Sequence, residues 1–316
     1  MLYFQKVEAD MKTSVAYITD PVYLEHDTGP WHPESPERLR AVEKALTPLK
    51  ERLVTLSPIR ISETLLETVH TPEHIETVRW HCDALEPIDA DTVCSERSWD
   101  AALMAAGAGI VALDAIEKGE VSRVFCAVRP PGHHATVERS MGFCLFNNIA
   151  IAARYAQSLG FARVAIVDFD VHHGNGTQDI FYADGSVLYF STHQSPAYPG
   201  TGLRNERGTG EGEGTIFNFP FPPGSGDEDL VPVYENELPK ILEDFSPDIL
   251  LVSADYDLHR EDPLAQLEVT TEGIRRIVRA ILKSRNVPSL FMLEGGYDVN
   301  ALGESVAATI EEMMEE

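Results

Sequence analysis

The chain has 316 residues, 43% of them hydrophobic, enough for a large core; this excludes a disordered or fibrous chain. Lys plus Arg number 25 against 51 Asp plus Glu, a net charge of −26. No basic footprint for a nucleic-acid backbone is left, and the acidic field favours cationic ligands, if any. Residues 1–10 (MLYFQKVEAD) show no secretory leader and read as a disordered extension, with Met11 an alternative start and one folded domain over 11–316. Cys82, Cys94, Cys126 and Cys144 form neither a CxxC pair nor a disulfide framework. The simplest reading is a soluble, cytoplasmic protein.

In chain order, a helix starts near Ser35, with Pro36 in its first turn, and runs through RLRAVEKAL. Residues 98–117 are Ala-rich and helical. Their longest apolar run, Ala101 to Leu113, falls short of the ~20 residues of a membrane span, so it reads as a buried helix. A short strand follows at 123–128 (RVFCAV), then a helix at 145–159 stopped by Gly160. Strands are expected at 163–170 (RVAIVDFD), 187–192 (VLYFST), 248–253 (DILLVS) and 289–293 (SLFML), and helices at 268–284 and 301–314. Residues 195–229, rich in Gly and Pro, read as one long functional loop. Near-continuous Val, Ile, Leu and Phe means strands covered on both faces. Alternation with helices then gives a single α/β domain, a mostly parallel central sheet with helices on each side.

Each strand ends in chemistry. RVFCAV runs into Arg129-Pro-Pro-Gly-His133-His134, and RVAIVDFD into Val171-His172-His173-Gly174-Asn175. VLYFST meets His193, DILLVS meets Ala254-Asp255-Tyr256-Asp257, and SLFML meets Glu294-Gly295-Gly296-Tyr297-Asp298. The carboxyl edge of such a sheet is where ligands bind. Asp168, Asp170 and His172 alternate, so in extended chain all three face one pocket. Carboxylate plus imidazole suits zinc, iron or manganese, and Asp257 is the best candidate for a third ligand, leaving an open position for water. His133 and His134 follow a stiff Pro-Pro-Gly turn. Spacing alone leaves them as ligands or acid/base groups, and with three ligands found elsewhere acid/base work fits better. Asp168 and Asn175 are nearby partners for their second nitrogens, which would let the two rings differ in protonation. His173 should point away from His172. Tyr297, after two glycines, is placed to donate to an oxyanion, and Phe143 and Tyr198 to wall an apolar slot.

Together the strings HPESPERL, RPPGHHA, GFCLFNNIAIAA, VAIVDFDVHHGNGTQDIF, PGTG, SADYD and EGGYD, from His32 to Asp298, resemble the zinc-dependent histone deacetylase family of the arginase/deacetylase superfamily. HHGNG, with Asn175 where class I has Asp, is similar to the class II branch and its bacterial relatives. The resemblance implies one zinc ion held by Asp170, His172 and Asp257. It implies His134, leaning on Asn175, as base and later acid, His133 paired with Asp168 as its electrostatic partner, and Tyr297 polarising the acyl carbonyl. Gly142, Phe143 and Tyr198 would line an acyl-lysine tunnel. Structural potassium would be held by Asp168, Ser191, Thr192 and the backbone oxygens of Asp170 and His172. SADYD departs from the usual SAGFD, so Asp255 is an added carboxylate of unassigned role.

The reaction implied is amide hydrolysis of an acylated lysine or a small acylated amine, with no nucleic acid or membrane as partner; a homo-oligomer is compatible with the sequence. Relatives selecting polyamines tend to place Glu near the tunnel mouth, where this chain aligns Leu264; this favours acyl-lysine, while the net charge pulls weakly toward polyamines. A two-manganese ureohydrolase would need more aspartates at the metal strands. A non-catalytic acyl-lysine scaffold would be expected to lack Tyr297 or one of the paired histidines, and all are present.

Overall fold

Short apolar runs with no polar face form strands here because both sides are covered. The computed structural model describes residues 14–315, so the expected extension at 1–10 lies outside the described residues. In chain order the elements are β1 (Val15–Ile18), α1 (Pro36–Ala45), β2 (Val54–Leu56), α2 (Glu63–Leu66), α3 (Pro72–Ala84), α4 (Ser98–Glu117) and β3 (Arg123–Cys126). Then come α5 (Asn148–Ser158), β4 (Val164–Asp168), α6 (Asn175–Phe181), β5 (Val187–Gln194), β6 (Ile216–Phe221), α7 (Asp227–Asn236) and α8 (Leu238–Phe245). The chain closes with β7 (Ile249–Ala254), α9 (Thr271–Ser284), β8 (Ser289–Leu293) and α10 (Val299–Met314). The strands form one sheet in the order β2-β1-β3-β8-β7-β4-β5-β6, and every pairing is parallel. The helices form two groups: α4 packs on α5 and touches the central strands, while α1, α10, α9 and α7 pack in series. The α/β reading therefore holds as a single domain.

Local starts follow the sequence. Ser35 is extended at the N-cap of α1, with Pro36 at the first helical position, where its missing N–H costs nothing. The Asn147 side chain caps α5 by accepting from Ala150 N at 3.0 Å, which moves the start inward from the expected 145. The Thr270 hydroxyl caps α9, so that helix begins at Thr271, not 268. Helix α4 is long and apolar enough to cross a membrane, yet most of it is buried inside the protein, as befits a core helix.

Two expectations need correction. Residues 195–229 are not one loop, since they contain β6 and the first turn of α7. Strand β6 sits at the sheet edge, where Pro220 can be accommodated because one side of an edge strand needs no ladder donor. Strand β4 also ends earlier than expected, at Asp168, so Asp170 and His172 lie on the following loop.

Candidate active site

The site is assembled where β3, β4, β7 and β8, the four central neighbours of the sheet, end side by side. Their C-terminal residues are in register: Asp168 lies opposite Ser253 and Ser191, and Ala254 opposite Leu293. The segments beyond these pairs converge on a cleft of about 240 Å³. Asp170, His172, His133, His134 and Tyr297 line its base, and Gly142, Phe143, Tyr198 and Leu264 line its walls and mouth.

Asp170, His172 and Asp257 each offer a ligand atom within 4.8 Å of the others. Asp170 Oδ1 accepts His172 N at 2.7 Å and Asp257 Oδ1 accepts Val171 N at 2.9 Å, which turns the remaining atoms inward. Asp257 Oδ2 is buried and has no hydrogen-bond partner; it lies 2.9 Å from His172 Nδ1 without hydrogen-bond geometry. Burial, then the neighbouring Asp255 and Asp257 carboxylates, pushes the Asp170 carboxyl well above the usual range. An orphaned buried oxygen in a surplus of negative charge, beside one imidazole, is what a divalent cation would neutralise, and the donor set fits zinc.

Asp168 does not join this cluster, contrary to the alternation argument, because the extended run stops at it. Its Oδ1 accepts Asp170 N at 3.1 Å, and its Oδ2 meets His133 Nδ1 at 3.1 Å and accepts from the Tyr189 hydroxyl at 3.0 Å. His134 Nδ1 meets Asn175 Oδ1 at 2.8 Å. The two rings lie 4.0 Å apart between centroids, tilted by 46°, but are pushed in opposite directions in pKa. Burial works against a charged His133, yet Asp168, backed by Glu294 and Asp255, outweighs it and pushes the imidazole up to about 9. Burial, then the neighbouring His133 and His172, drives His134 well below its ordinary value. At neutral pH the pair is therefore imidazolium beside imidazole, the difference the sequence allowed. His173 points away, as expected, to Thr201 at 2.7 Å and Gln178 at 3.0 Å.

The cleft walls depend on one left-handed pair. Gly142 has φ +56°, and a Cβ there would meet the His134 ring and lie 3.2 Å from the Tyr198 ring. Phe143 has φ +70°, a conformation side chains other than glycine seldom take and which tends to persist at functional sites. Its ring packs edge-on against His32 at 4.7 Å and Tyr297 at 5.9 Å. Tyr198 stands edge-on to His134 at 5.1 Å. Of the remaining expected residues, Ser191 neighbours Asp168 across the β4–β5 pairing, and its hydroxyl contacts His193 Nδ1 at 2.9 Å. The Thr192 hydroxyl meets the Tyr234 hydroxyl at 2.6 Å.

Sequence reasoning missed the supports. Glu294, buried, accepts from the backbone N–H of Gly132 (2.6 Å) and His133 (3.2 Å) and from the Ser253 hydroxyl (3.0 Å), tying the histidine loop to β7 and β8. Arg38 donates to the carbonyls of Glu294 and Gly296, both at 2.7 Å, and Asp262 accepts from Tyr297 N at 2.6 Å. Asp91 lines the cleft mouth. Glu294 stood at a strand end and Arg38 inside HPESPERL, but nothing in either string reveals a partner more than a hundred residues away.

Fold and site together define an α/β protein with a carboxylate–imidazole cluster, a histidine pair and a facing tyrosine at the carboxyl edge of a parallel sheet. The histone deacetylase domain model matches residues 32–313. A probable deacetylase of Archaeoglobus fulgidus is 42% identical over 286 residues, covering 88% of this chain and 79% of the relative. Histone deacetylase 15 of Arabidopsis thaliana is 40% identical over 293 residues, 90% of this chain and 53% of that protein. The crystal structure of the HDA15 HD domain superposes with a TM-score of 0.92 at 39% identity, over 96% of this chain and 89% of that one. The chain belongs to the histone deacetylase family, and its fold is that family's fold.

Proposed function

We propose that the protein hydrolyses an acylated amine, with acyl-lysine as the favoured substrate, and that Asp170, His172 and Asp257 hold one zinc ion. The observation that carries this is a histidine pair with unlike partners, the Asp168 carboxylate on His133 and the Asn175 amide oxygen on His134, beside a three-ligand cluster at the foot of a narrow cleft. Zinc, when bound, supplies Lewis acidity toward a carbonyl and lowers the pKa of water.

The chain's own groups do the rest. His134 donates Nδ1–H to Asn175 Oδ1, which fixes the tautomer and leaves Nε2 as the acceptor facing the cleft. Being neutral, it takes a proton from water as the water oxygen attacks the acyl carbon. The Tyr297 hydroxyl stays protonated, since burial and then Asp255 raise its pKa well above the ordinary value; it donates to the oxygen of the tetrahedral oxyanion. His133, charged against Asp168, lends positive potential to the same oxyanion. The proton on His134 then passes to the leaving nitrogen, the C–N bond breaks, and acetate and free amine depart.

Potassium would be held by Asp168, Ser191, Thr192 and the backbone oxygens of Asp170 and His172. Four free, buried cysteines suit a reducing compartment, which supports a cytoplasmic location. Leu264 at the mouth offers no charge to a second ammonium, which favours a lysine side chain over a polyamine. Asp91 on the same rim, together with the net charge of −26, favours the polyamine reading. A rate panel decides: acetyl-lysine peptide, trifluoroacetyl-lysine peptide, acetylputrescine and acetylspermidine, each with and without chelator. Chelator-sensitive turnover fastest on the peptides supports the proposal. Faster turnover of acetylputrescine transfers it to polyamines, and full turnover after metal stripping ends it.

A further inference from the structure

The β7–β8 ladder runs out at the pair Ala254 and Leu293, with Glu294 N donating to Ala254 O at 3.0 Å as its last rung. Beyond it the two segments diverge, one toward Asp257 and the other toward Tyr297. Between them stands Asp255, fully buried, where the family pattern usually has a glycine with no side chain. Asp255 Oδ1 accepts Asp257 N at 2.6 Å, and Asp255 Oδ2 accepts Gly295 N. A side chain thus continues the inter-strand tie past the end of the ladder. Both oxygens are engaged by backbone donors, which offsets the cost of burying a further carboxylate beside Asp170 and Asp257 and argues against a ligand role. The Tyr297 hydroxyl lies close by: a Cβ on Gly295 would stand 2.6 Å from it and also touch Asp255 Oδ2. The remaining holds on the segment are Asp262 on Tyr297 N and Arg38 on the carbonyls of Glu294 and Gly296. None of them reaches Asp257.

We propose that Asp255 is a positioning residue, a carboxylate brace that sets the distance between the ligand Asp257 and the oxyanion donor Tyr297. Its kinetic and metal-holding consequences rest on the proposed function; its mechanical consequence does not.

The test uses the full chain with zinc loaded and two variants, Asp255→Gly and the near-isosteric Asp255→Asn, which keeps one acceptor oxygen. Hydrogen exchange at the Gly295 amide should quicken at least tenfold in Asp255→Gly, with global unfolding cooperative as in wild type. Zinc should remain at one per chain but be lost to a competing chelator about tenfold more readily, as for other groups that orient a ligand. On the best substrate of the panel, kcat should fall about ten- to a hundredfold with KM within twofold, because donor and metal are then misaligned. Asp255→Asn should fall between wild type and Asp255→Gly in all three. Unchanged Gly295 exchange in either folded variant overturns the brace, as does complete loss of zinc from both, which would make Asp255 a ligand. Should Asp255→Gly not fold, Asp255→Asn decides alone. Should wild type hydrolyse none of the amides, the deacylase reading falls, while exchange at Gly295 still judges the brace.

Discussion

His133 and His134 are adjacent in sequence and nearly equal in burial, yet one is charged and the other neutral. The difference lies in the partner atom: a carboxylate oxygen on His133, an amide oxygen on His134. Removing the neutral ring removes the proton acceptor, so His134→Ala should abolish hydrolysis while leaving zinc content at one per chain; undiminished turnover would show that another group is the base. Tyr297 acts later, on the developing charge. Tyr297→Phe should keep the fold and the metal but lower kcat about 10²–10³-fold, the size expected for one oxyanion donor. Steady-state rates with zinc analysis check both variants.

Among the elements, α6 shows most directly how a motif becomes geometry. Its start reads Gly174-Asn175-Gly176-Thr177, and Thr177 N donates to His133 O at 3.1 Å, laying the helix end against the histidine loop. A Cβ on Gly176 would come within 2.6 Å of His134 C, and the obstacle there is backbone that cannot rotate away. Gly176→Ala should therefore push α6 off the loop, separate Asn175 from His134, and cost about 1–3 kcal/mol by overpacking. Urea unfolding reads the stability, and kcat should fall with it; a variant as stable and active as wild type would mean the loop yields freely. Strands buried on both faces were legible because their apolar runs are unbroken, and the ligands because they stand at strand ends. Strands β1, β2 and β6 were not: VAYI and VTL are too short to show a period, and FNFPF carries a proline. The alternation argument failed at Asp168 for a related reason, since it assumes extended chain and the strand stops there. Helices α2, α3, α6, α7 and α8 likewise escaped notice: α2 and α6 are only four and seven residues long, and α7 carries a proline in its interior.

At the scale of the whole molecule, separate segments meet on one buried carboxylate. Glu34, from the segment before α1, pairs with Arg38 Nη1 at 3.0 Å and with Arg129 through both Nε and Nη2, the latter at 2.8 Å. Arg38 holds the Glu294–Gly296 turn that carries Tyr297, and Arg129 begins the loop that carries His133 and His134. Glu34 thereby fixes the base and the oxyanion donor in one frame, although it touches neither. Burial alone would raise its carboxyl, but Arg129 and then Arg38 overcome this and hold it at about 2, against 4.5 when free. A depressed native pKa stabilises the fold above the unfolded value and is lost as pH falls through the native one. The difference corresponds to about 3 kcal/mol at neutral pH. Glu34→Gln leaves two buried guanidinium groups without their anion, so it should destabilise by about 3–5 kcal/mol at pH 7. Its deficit against wild type should shrink steadily as pH drops from 4.5 toward 2, where wild type loses the same charge. Urea unfolding of both proteins across that range measures it, and a deficit that stays constant with pH would show that Glu34 acts through packing instead of charge.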